Sequence, residues 1–301
     1  KRAIDVTFES LREKFKIKRM GQLSEYLGMK CEFINDGRSV HISQPTAIAK
    51  MIERFNLQQC RPTKSPYNPK HPISKNESGQ TCDITEYRSA IGALLWITRC
   101  SRPDIAFIVG LLSQHQSNPS FEHLGAAKHV MRYLAGTANY GIVINPVDVR
   151  SDYVIAHTDS SFADPQISLH STSGCMIEIA GSPVSWFSRK QSLHAGSSAE
   201  AEYIAANDAV KDAIWTMNFI HCLRDTLTTK IEQNFLLMTD SSSCIAMIKR
   251  GYPDHGRTRH IELQSHMILD HYNSGAFQLE WIGGDQNIAD LLTKSIPSIR
   301  H

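Results

Sequence analysis

Residues 235–242 read FLLMTDSS, a fully apolar run followed by the tetrapeptide Thr-Asp-Ser-Ser. The same tetrapeptide ends an earlier run, YVIAHTDSS, at residues 153–161. A fully apolar run is typical of a central buried strand, and the alternation of short strands with longer helices over residues 150–301 indicates an α/β layer domain. Because sites in open α/β sheets form beyond the carboxyl ends of strands, the two runs predict that Asp159 and Asp240 lie side by side.

A pair of neighbouring carboxylates repels unless a divalent cation lies between them. The repeated tetrapeptide therefore favours a metal site formed by Asp159 and Asp240. The alternative for Asp240 is a helix N-cap, because a helical pattern containing Ile245, Ala246 and Ile248 follows it.

The segment between the two strands supplies a third acid. Residues 197–205 read SSAEAEYIA, in which Ser197 and Glu200 have capping-box spacing, so Glu200 is predicted to cap a helix. Glu202 begins an apolar stripe that continues at positions 206, 210, 213, 217 and 220. A carboxylate at the top of a face that packs on a sheet is costly unless it is paired or bound to metal. Glu200 lies about 200° away around the helix and should face elsewhere.

A fourth acid follows the last predicted strand, Phe277–Ile282. A helix is predicted from Asp285, its N-cap, to Leu292. Asp290 either faces the other three acids or is a solvated helix acid. His260 and His266 are six residues apart and so fall on different faces of a helix, which favours core or surface histidines over a metal site.

Composition excludes several classes of protein. The chain has 301 residues, of which 41% are hydrophobic and 21% are charged, which excludes collagen, coiled coil and long disorder and suggests about two domains. No run approaches the ~18 apolar residues that a membrane span needs, and the first residues lack the apolar core of a signal peptide. Seven cysteines without a C-x-x-C pair indicate a reducing compartment.

Charge is distributed unevenly along the chain. The net charge is +8 over residues 1–75, −1 over residues 76–149 and −5 over residues 150–301. A basic first quarter indicates binding to a polyanion, and a solvated lysine-rich face is the alternative. The candidate phosphate contacts are Lys14, Lys16, Lys18, Arg19, Lys30 and Arg38.

The first half of the chain shows helical and hairpin patterns. The predicted elements are the end of an amphipathic helix over 7–18, a hairpin over 27–42, a helix over 44–55, a linker over 60–85 and helical patterns over 86–114 and 121–135.

Motifs spread through the chain carry a resemblance to a known family. They read FKIKRMGQLSEYLGM at 15–29, YRSAIGALLWITRCSRPD at 87–104, KHVMRYLAG at 128–136, STSG at 171–174, SW at 185–186, SSAEAEYIA at 197–205, RTRHI at 257–261 and ADLLTK at 289–294. In these motifs the chain resembles the C-terminal part of the Pol polyprotein of copia-type LTR retrotransposons. The order of its acids along the sequence is similar to that of the ribonuclease H fold.

The resemblance implies a domain organisation. Residues 1–43 would be a remnant of the reverse transcriptase palm, and residues 44–145 a helical thumb and connection. Residues 146–301 would be a ribonuclease H-like α/β domain of three layers around a five-stranded mixed sheet.

The resemblance also implies a function. Asp159, Glu202, Asp240 and Asp290 would hold two Mg²⁺ ions, or Mn²⁺ in their place, and hydrolyse RNA in RNA/DNA hybrids. The implied partners are the hybrid and the upstream polymerase region, with no membrane, in the cytoplasm or in a virus-like particle. The family's polymerase motif, Tyr-x-Asp-Asp, does not occur in this sequence, so no primer extension is expected.

Some positions depart from the family pattern. Ser161 and Phe162 stand where the family usually has Asp and Trp, and Gly283-Gly284-Asp285 stands where many ribonucleases H have a mobile His. Three rival interpretations stay open: an integrase or transposase of the same fold, an inactive remnant that at most binds nucleic acid, and a structural subunit of a reverse transcriptase.

Overall fold

A computed structural model describes most of the chain. The described residues are 2–68, 73–77, 79–145, 154–163, 170–223, 234–250 and 267–294. They form a mainly helical unit with a small sheet, followed by a unit built on a larger mixed sheet.

The small sheet combines the start of the chain with a strand from much later in it. Its order is β1-β2-β3-β4, all antiparallel, and the strands are β1 (Glu25–Tyr26), β2 (Met29–Ile34), β3 (Ser39–Ser43) and β4 (Gly141–Ile144). The predicted hairpin is β2–β3, whose turn over Asn35–Gly37 has positive φ angles that Asn, Asp and Gly tolerate. Helix α1 (Arg2–Lys14) precedes this sheet and ends four residues earlier than predicted.

Four helices pack together to form the core of the first unit. They are α2 (Pro45–Arg54), α3 (Ile84–Cys100), α4 (Ala106–Ser113) and α5 (Phe121–Gly136). The helical pattern over 86–114 is not one helix, because Pro103 lacks a backbone N–H and begins a 3₁₀ turn between α3 and α4. The side chain of Asp83 caps α3, and Ser120 caps α5.

A buried arginine joins the turn between α3 and α4 to the end of α5. Arg102 is 1% exposed and donates to both carboxylate oxygens of Asp104 at 2.9 and 2.6 Å. It also donates to the carbonyl oxygen of Thr137 at 2.8 Å, and the hydroxyl of Tyr133 donates to Asp104. A buried charge persists only with such a complete set of partners, so the Ser-Arg-Pro-Asp motif joins α3 and α4 to the end of α5.

The second unit contains the predicted five-stranded mixed sheet. Its strands are β5 (Val154–Ser161), β6 (Thr172–Ile179), β7 (Ser182–Lys190), β8 (Phe235–Thr239) and β9 (Phe277–Trp281). The order is β7-β6-β5-β8-β9, with β5, β6 and β7 antiparallel and with β8 and β9 parallel to β5. The carboxyl ends of β5 and β8 therefore meet at one edge, as the repeated tetrapeptide predicts.

Helix α6 (Ser198–Leu223) covers one face of the larger sheet. The predicted stripe is confirmed, since Ala206, Val210, Ala213 and Met217 are all buried. Strand β8 is buried as expected of a central strand, and α7 (Ser242–Arg250) follows it. A 3₁₀ helix, Ile288–Leu292, packs on the other face against β5 and β6.

The two units are in direct contact along β7. The indole Nε1 of Trp186 donates to the carbonyl oxygen of Thr98 at 2.9 Å. Helix α4 approaches β7 so closely that a Cβ on Gly110 would lie 3.3 Å from the carbonyl oxygen of Ser188. Within the described ranges, no helix combines the length and apolar character needed to cross a membrane.

Candidate active site

Asp159 is the most deeply buried of the four predicted site acids. It lies near the end of β5, opposite Gly174 of β6, and the residue as a whole is 1% exposed. Its Oδ2 accepts a hydrogen bond from the hydroxyl of Thr293, and the Nζ of Lys294 lies 3.3 Å from the same oxygen. The buried carboxylate of Asp159 is therefore held in place by contacts from Thr293 and Lys294.

Asp240 is the first residue after β8. The following helix does not use its carboxylate, because the hydroxyl of Ser241 accepts from the backbone N–H of Cys244 at 3.1 Å. Ser241 thus fills the N-cap role, and the carboxylate of Asp240 remains available to the site. The backbone carbonyl of Asp240 accepts from the indole of Trp281 at 2.9 Å, which anchors this loop to the end of β9.

Asp290 lies on the 3₁₀ helix, and the prediction of a helix capped by Asp285 is wrong. Asn287 is the cap: its Oδ1 accepts from the backbone N–H of Ala289 at 3.1 Å. The Nδ2 of Asn287 donates to the carbonyl oxygen of Thr158 at 3.0 Å. An amide can donate and accept at once, whereas a carboxylate only accepts, so Asn287 both starts the turn and ties it to β5 beside Asp159.

These three acids converge although they are far apart in the sequence. One carboxylate oxygen from each of Asp159, Asp240 and Asp290 lies within 4.8 Å of the others. Oxygen atoms at such separations can bind one hard divalent cation, such as Mg²⁺, Mn²⁺ or Ca²⁺. We call these three residues the acid cluster.

Glu202 borders the acid cluster from the α6 side and is not one of its three members. Its Oε2 is buried and has no hydrogen-bond partner among the described residues. Burial, followed by the negative charge of Asp159, raises the pKa of Glu202 to about 8. Glu200 has a different role, as its spacing predicted: its Oε2 accepts from the backbone N–H of Gly196 at 2.6 Å, and its own N–H donates to Ser197.

The acid cluster has the electrostatics of a cation site. Burial raises the pKa of Asp159 to about 6, and the Thr293 hydroxyl and Lys294 ammonium act in the opposite direction. The carboxylates of Asp290 and Asp240 add to the increase. Nearby positive charge therefore favours the ionised form of Asp159.

Three residues that sequence analysis did not assign position the acid cluster. Gly174 has no side chain, and a Cβ there would lie 2.6 Å from the Cγ2 of Thr293 and 2.9 Å from the Cβ of Leu292. Thr293 and Lys294 both contact Asp159. The ADLLTK and STSG motifs contain these residues. Lys294 follows Asp290 by four positions, and this spacing was the sequence signal that the two side chains could pair.

The loop before the 3₁₀ helix also approaches the acid cluster. A Cβ on Gly284 would lie 3.1 Å from the Oδ2 of Asp240, so this loop passes the cluster with its backbone. Of the two positions that depart from the family pattern after Asp159, Ser161 ends β5 and Phe162 is exposed. His260 and His266 lie outside the described residues.

All six candidate phosphate contacts in residues 1–75 are exposed. Arg19 forms an ion pair with Asp5 at 2.5 Å, and Lys30 forms one with Glu32 at 2.6 Å. The other four form no ion pair with any described residue and are Lys14, Lys16, Lys18 and Arg38.

No protein-family model matches the chain. It is 31% identical over 294 residues, 95% of its length, to the retrovirus-related Pol polyprotein from transposon TNT 1-94 of Nicotiana tabacum. It is 30% identical over 96% of its length to the Pol polyprotein from transposon RE1 of Arabidopsis thaliana. The chain belongs to the retrovirus-related Pol polyproteins of transposons.

This Pol chain spans about a fifth of the length of those relatives, 21% and 19% respectively. Among solved structures, it is similar to an N-terminal ribonuclease H domain from Mycobacterium tuberculosis. That similarity covers 48% of the Pol chain and 91% of the bacterial chain, with 14% sequence identity and a TM-score of 0.34.

Proposed function

We propose that this Pol chain is a ribonuclease H that hydrolyses the RNA strand of RNA/DNA hybrids with the help of two divalent ions. The observation that carries the proposal is the meeting of Asp159, Asp240 and Asp290 within 4.8 Å at the carboxyl ends of β5 and β8. Membership of a Pol polyprotein family supports a nucleic-acid substrate for this acid cluster, and the hybrid is the substrate that the resemblance implies.

The residues present fit divalent ions of the Mg²⁺ class. The acid cluster offers only carboxylate oxygens, which Mg²⁺ and Mn²⁺ prefer, and includes no Cys or His, which zinc sites commonly use. The buried Oε2 of Glu202 has no hydrogen-bond partner among the described residues, and a bound cation would satisfy it. Asp159, Asp240, Asp290 and Glu202 would therefore hold the ions.

The side chains of the Pol chain have distinct roles in this proposal. Bound ions supply activation of water and stabilisation of charge on the leaving oxygen. Asp159 is fixed by the hydroxyl of Thr293, which limits its rotation. Asp240 and Asp290 are held on short turns anchored by Trp281 and Asn287, so their carboxylates are oriented before substrate binds.

The basic first quarter is proposed to bind the phosphate backbone. The second unit carries a net negative charge, so its affinity for a polyanion away from the acid cluster should be weak. Hybrids are recognised through groove shape and 2′-hydroxyl groups, so little sequence preference is expected. Lys14, Lys16 and Lys18 are exposed on one short segment and are the first candidates.

A cleavage assay with matched variants tests the chemistry. The purified chain is incubated with a labelled RNA/DNA hybrid and Mg²⁺. We expect Asp159→Asn, Glu202→Gln and Asp240→Asn each to abolish cleavage, because each removes a negatively charged oxygen ligand. Glu200→Gln is the control and should cleave as wild type, because the amide oxygen of Gln can still accept from Gly196.

Two outcomes would contradict the proposal. Cleavage that persists in Asp240→Asn, or is lost in Glu200→Gln and kept in Glu202→Gln, would show that the site is assigned wrongly. A folded wild-type chain that binds the hybrid and does not cut it with Mg²⁺ or Mn²⁺ would favour the inactive remnant.

A binding assay tests the basic segment separately. Hybrid binding is measured over a salt series in Ca²⁺, with Lys14, Lys16 and Lys18 replaced together by Ala. Each lost phosphate contact should make the log–log salt slope shallower by roughly 0.9, the value for duplex DNA. Lys211→Ala, on α6, is the control. Equal slopes for all three proteins would show that the basic segment is only a solvated face.

A further inference from the structure

A lysine lies among the carboxylates of the acid cluster. The Nζ of Lys294 is 2.9 Å from the Oδ1 of Asp290, and it is 3.4 and 3.3 Å from the two oxygens of Asp159. Its side chain is 46% exposed, whereas that of Asp159 is 2% exposed. One ammonium group thus bridges two of the three acids from the solvent side.

The position of Lys294 is set by the fold around it. Its backbone N–H donates to the carbonyl oxygen of Asp290 at 3.1 Å, which closes the turn that begins at Asp290. The preceding residue, Thr293, is held by Asp159 on one side and packs over Gly174 on the other. The lysine is therefore directed to the acid cluster by a constrained backbone.

An ammonium group and a divalent ion compete for these carboxylate oxygens. Lysine has three donors and no acceptor, so it cannot be a metal ligand. Its charge also repels a divalent cation that lies nearby. Asp240 forms no ion pair with any described residue, so among the described residues no ammonium group competes for its carboxylate.

We propose that Lys294 is an internal counter-cation of the acid cluster, which stabilises the cluster without metal and must be displaced when a divalent ion binds. This inference rests on the proposed metal site and adds a residue that sets its affinity. Lysine is suited to this role because a flexible four-carbon stem lets the charge move away into solvent.

The test measures Ca²⁺ binding by calorimetry and the melting temperature in EDTA, so it does not depend on activity. Lys294→Met should bind Ca²⁺ about tenfold more tightly than wild type, which corresponds to about 1.4 kcal/mol, and should melt at a lower temperature in EDTA. Lys294→Gln is a second neutral variant, which can still donate to Asp290 and guards against misfolding of the first.

Two variants serve as matched controls. Lys294→Arg keeps the positive charge and should bind Ca²⁺ within about twofold of wild type. Lys211→Met removes a lysine that pairs with Asp208 at 3.3 Å on the same unit, and it should leave Ca²⁺ affinity unchanged.

The outcomes separate this inference from the metal site itself. If wild type binds Ca²⁺ and Asp240→Asn does not, then unchanged or weaker binding by both neutral variants overturns the role of Lys294 alone. If wild type binds no Ca²⁺, the metal site and the counter-cation role are both overturned.

Discussion

Replacement of Gly174 by Ala should displace residues of the acid cluster, because Gly174 lies on β6 directly opposite Asp159 of β5. A Cβ at this position would lie 2.6 Å from the Cγ2 of Thr293, 2.9 Å from the Cβ of Leu292 and 3.1 Å from the carbonyl oxygen of Ala289. Carbon atoms in contact are normally about 3.5–4.0 Å apart. The 3₁₀ helix would therefore have to move away from β6 by roughly 1 Å.

The magnitude follows from that displacement. Forcing an extra methyl group into a packed site costs about 1–3 kcal/mol, so Gly174→Ala should lower the free energy of unfolding by that amount. The same movement carries Asp290, Thr293 and Lys294 away from Asp159. A 1 Å misplacement of an active-site group can cost about 100-fold in rate, so we expect hybrid cleavage to fall by a similar factor.

Urea unfolding and a cleavage time course measure the two effects. Gly92→Ala is the control, because Gly92 is exposed in the interior of α3 and a Cβ there would meet nothing within 4 Å. It should leave cleavage unchanged and stabilise α3 by up to about 1 kcal/mol, since Ala is the better helix former. Wild-type stability and wild-type cleavage in Gly174→Ala would refute the packing argument.

Two further predictions concern pH and the buried arginine. The pKa of Glu202 is raised by folding, so ionisation of this group lowers the free energy of unfolding as pH rises from the unfolded-state pKa toward about 8. Urea unfolding in EDTA should therefore show that Glu202→Gln raises the free energy of unfolding by roughly 1–3 kcal/mol at pH 8.5 and by little at pH 4. Arg102→Met leaves Asp104 without its ionic partner and should lower the free energy of unfolding by about 3–5 kcal/mol in chemical denaturation. Replacement of the exposed Arg88 by Met is the control and should lower it by less than about 1 kcal/mol. Equal losses for the two variants would contradict the buried-pair argument.

Local sequence patterns were sufficient to predict the main elements of the second unit. Strand β8 follows from its apolar run, and the face of α6 follows from an apolar stripe with helical spacing. Each of these features depends on residues within one helix or one strand, so the local hydrophobic pattern is enough to predict it. The same holds for the β2–β3 hairpin, whose turn residues tolerate positive φ.

Predictions that depended on competition between neighbouring residues were less accurate. Pro103 divided a continuous helical pattern into α3 and α4. Asn287 replaced Asp285 as the cap of the last turn, because its amide also reaches the carbonyl oxygen of Thr158. Ser241, one residue after Asp240, took the N-cap of α7. In each case several residues could fill a local role, and a tertiary contact or a backbone constraint selected one.

The sequence by itself determined which acids were available, because a repeated strand ending identified Asp159 and Asp240, and helical phase separated Glu202 from Glu200. Only the tertiary structure decided which of these acids meet and that the ammonium group of Lys294 lies beside them. The meeting of Asp159, Asp240 and Asp290 requires β5 beside β8 and the last turn packed over Gly174. Those contacts join residues that lie between 50 and 131 positions apart in the sequence. Local patterns of hydrophobicity and capping span only a few residues, so they do not predict such contacts.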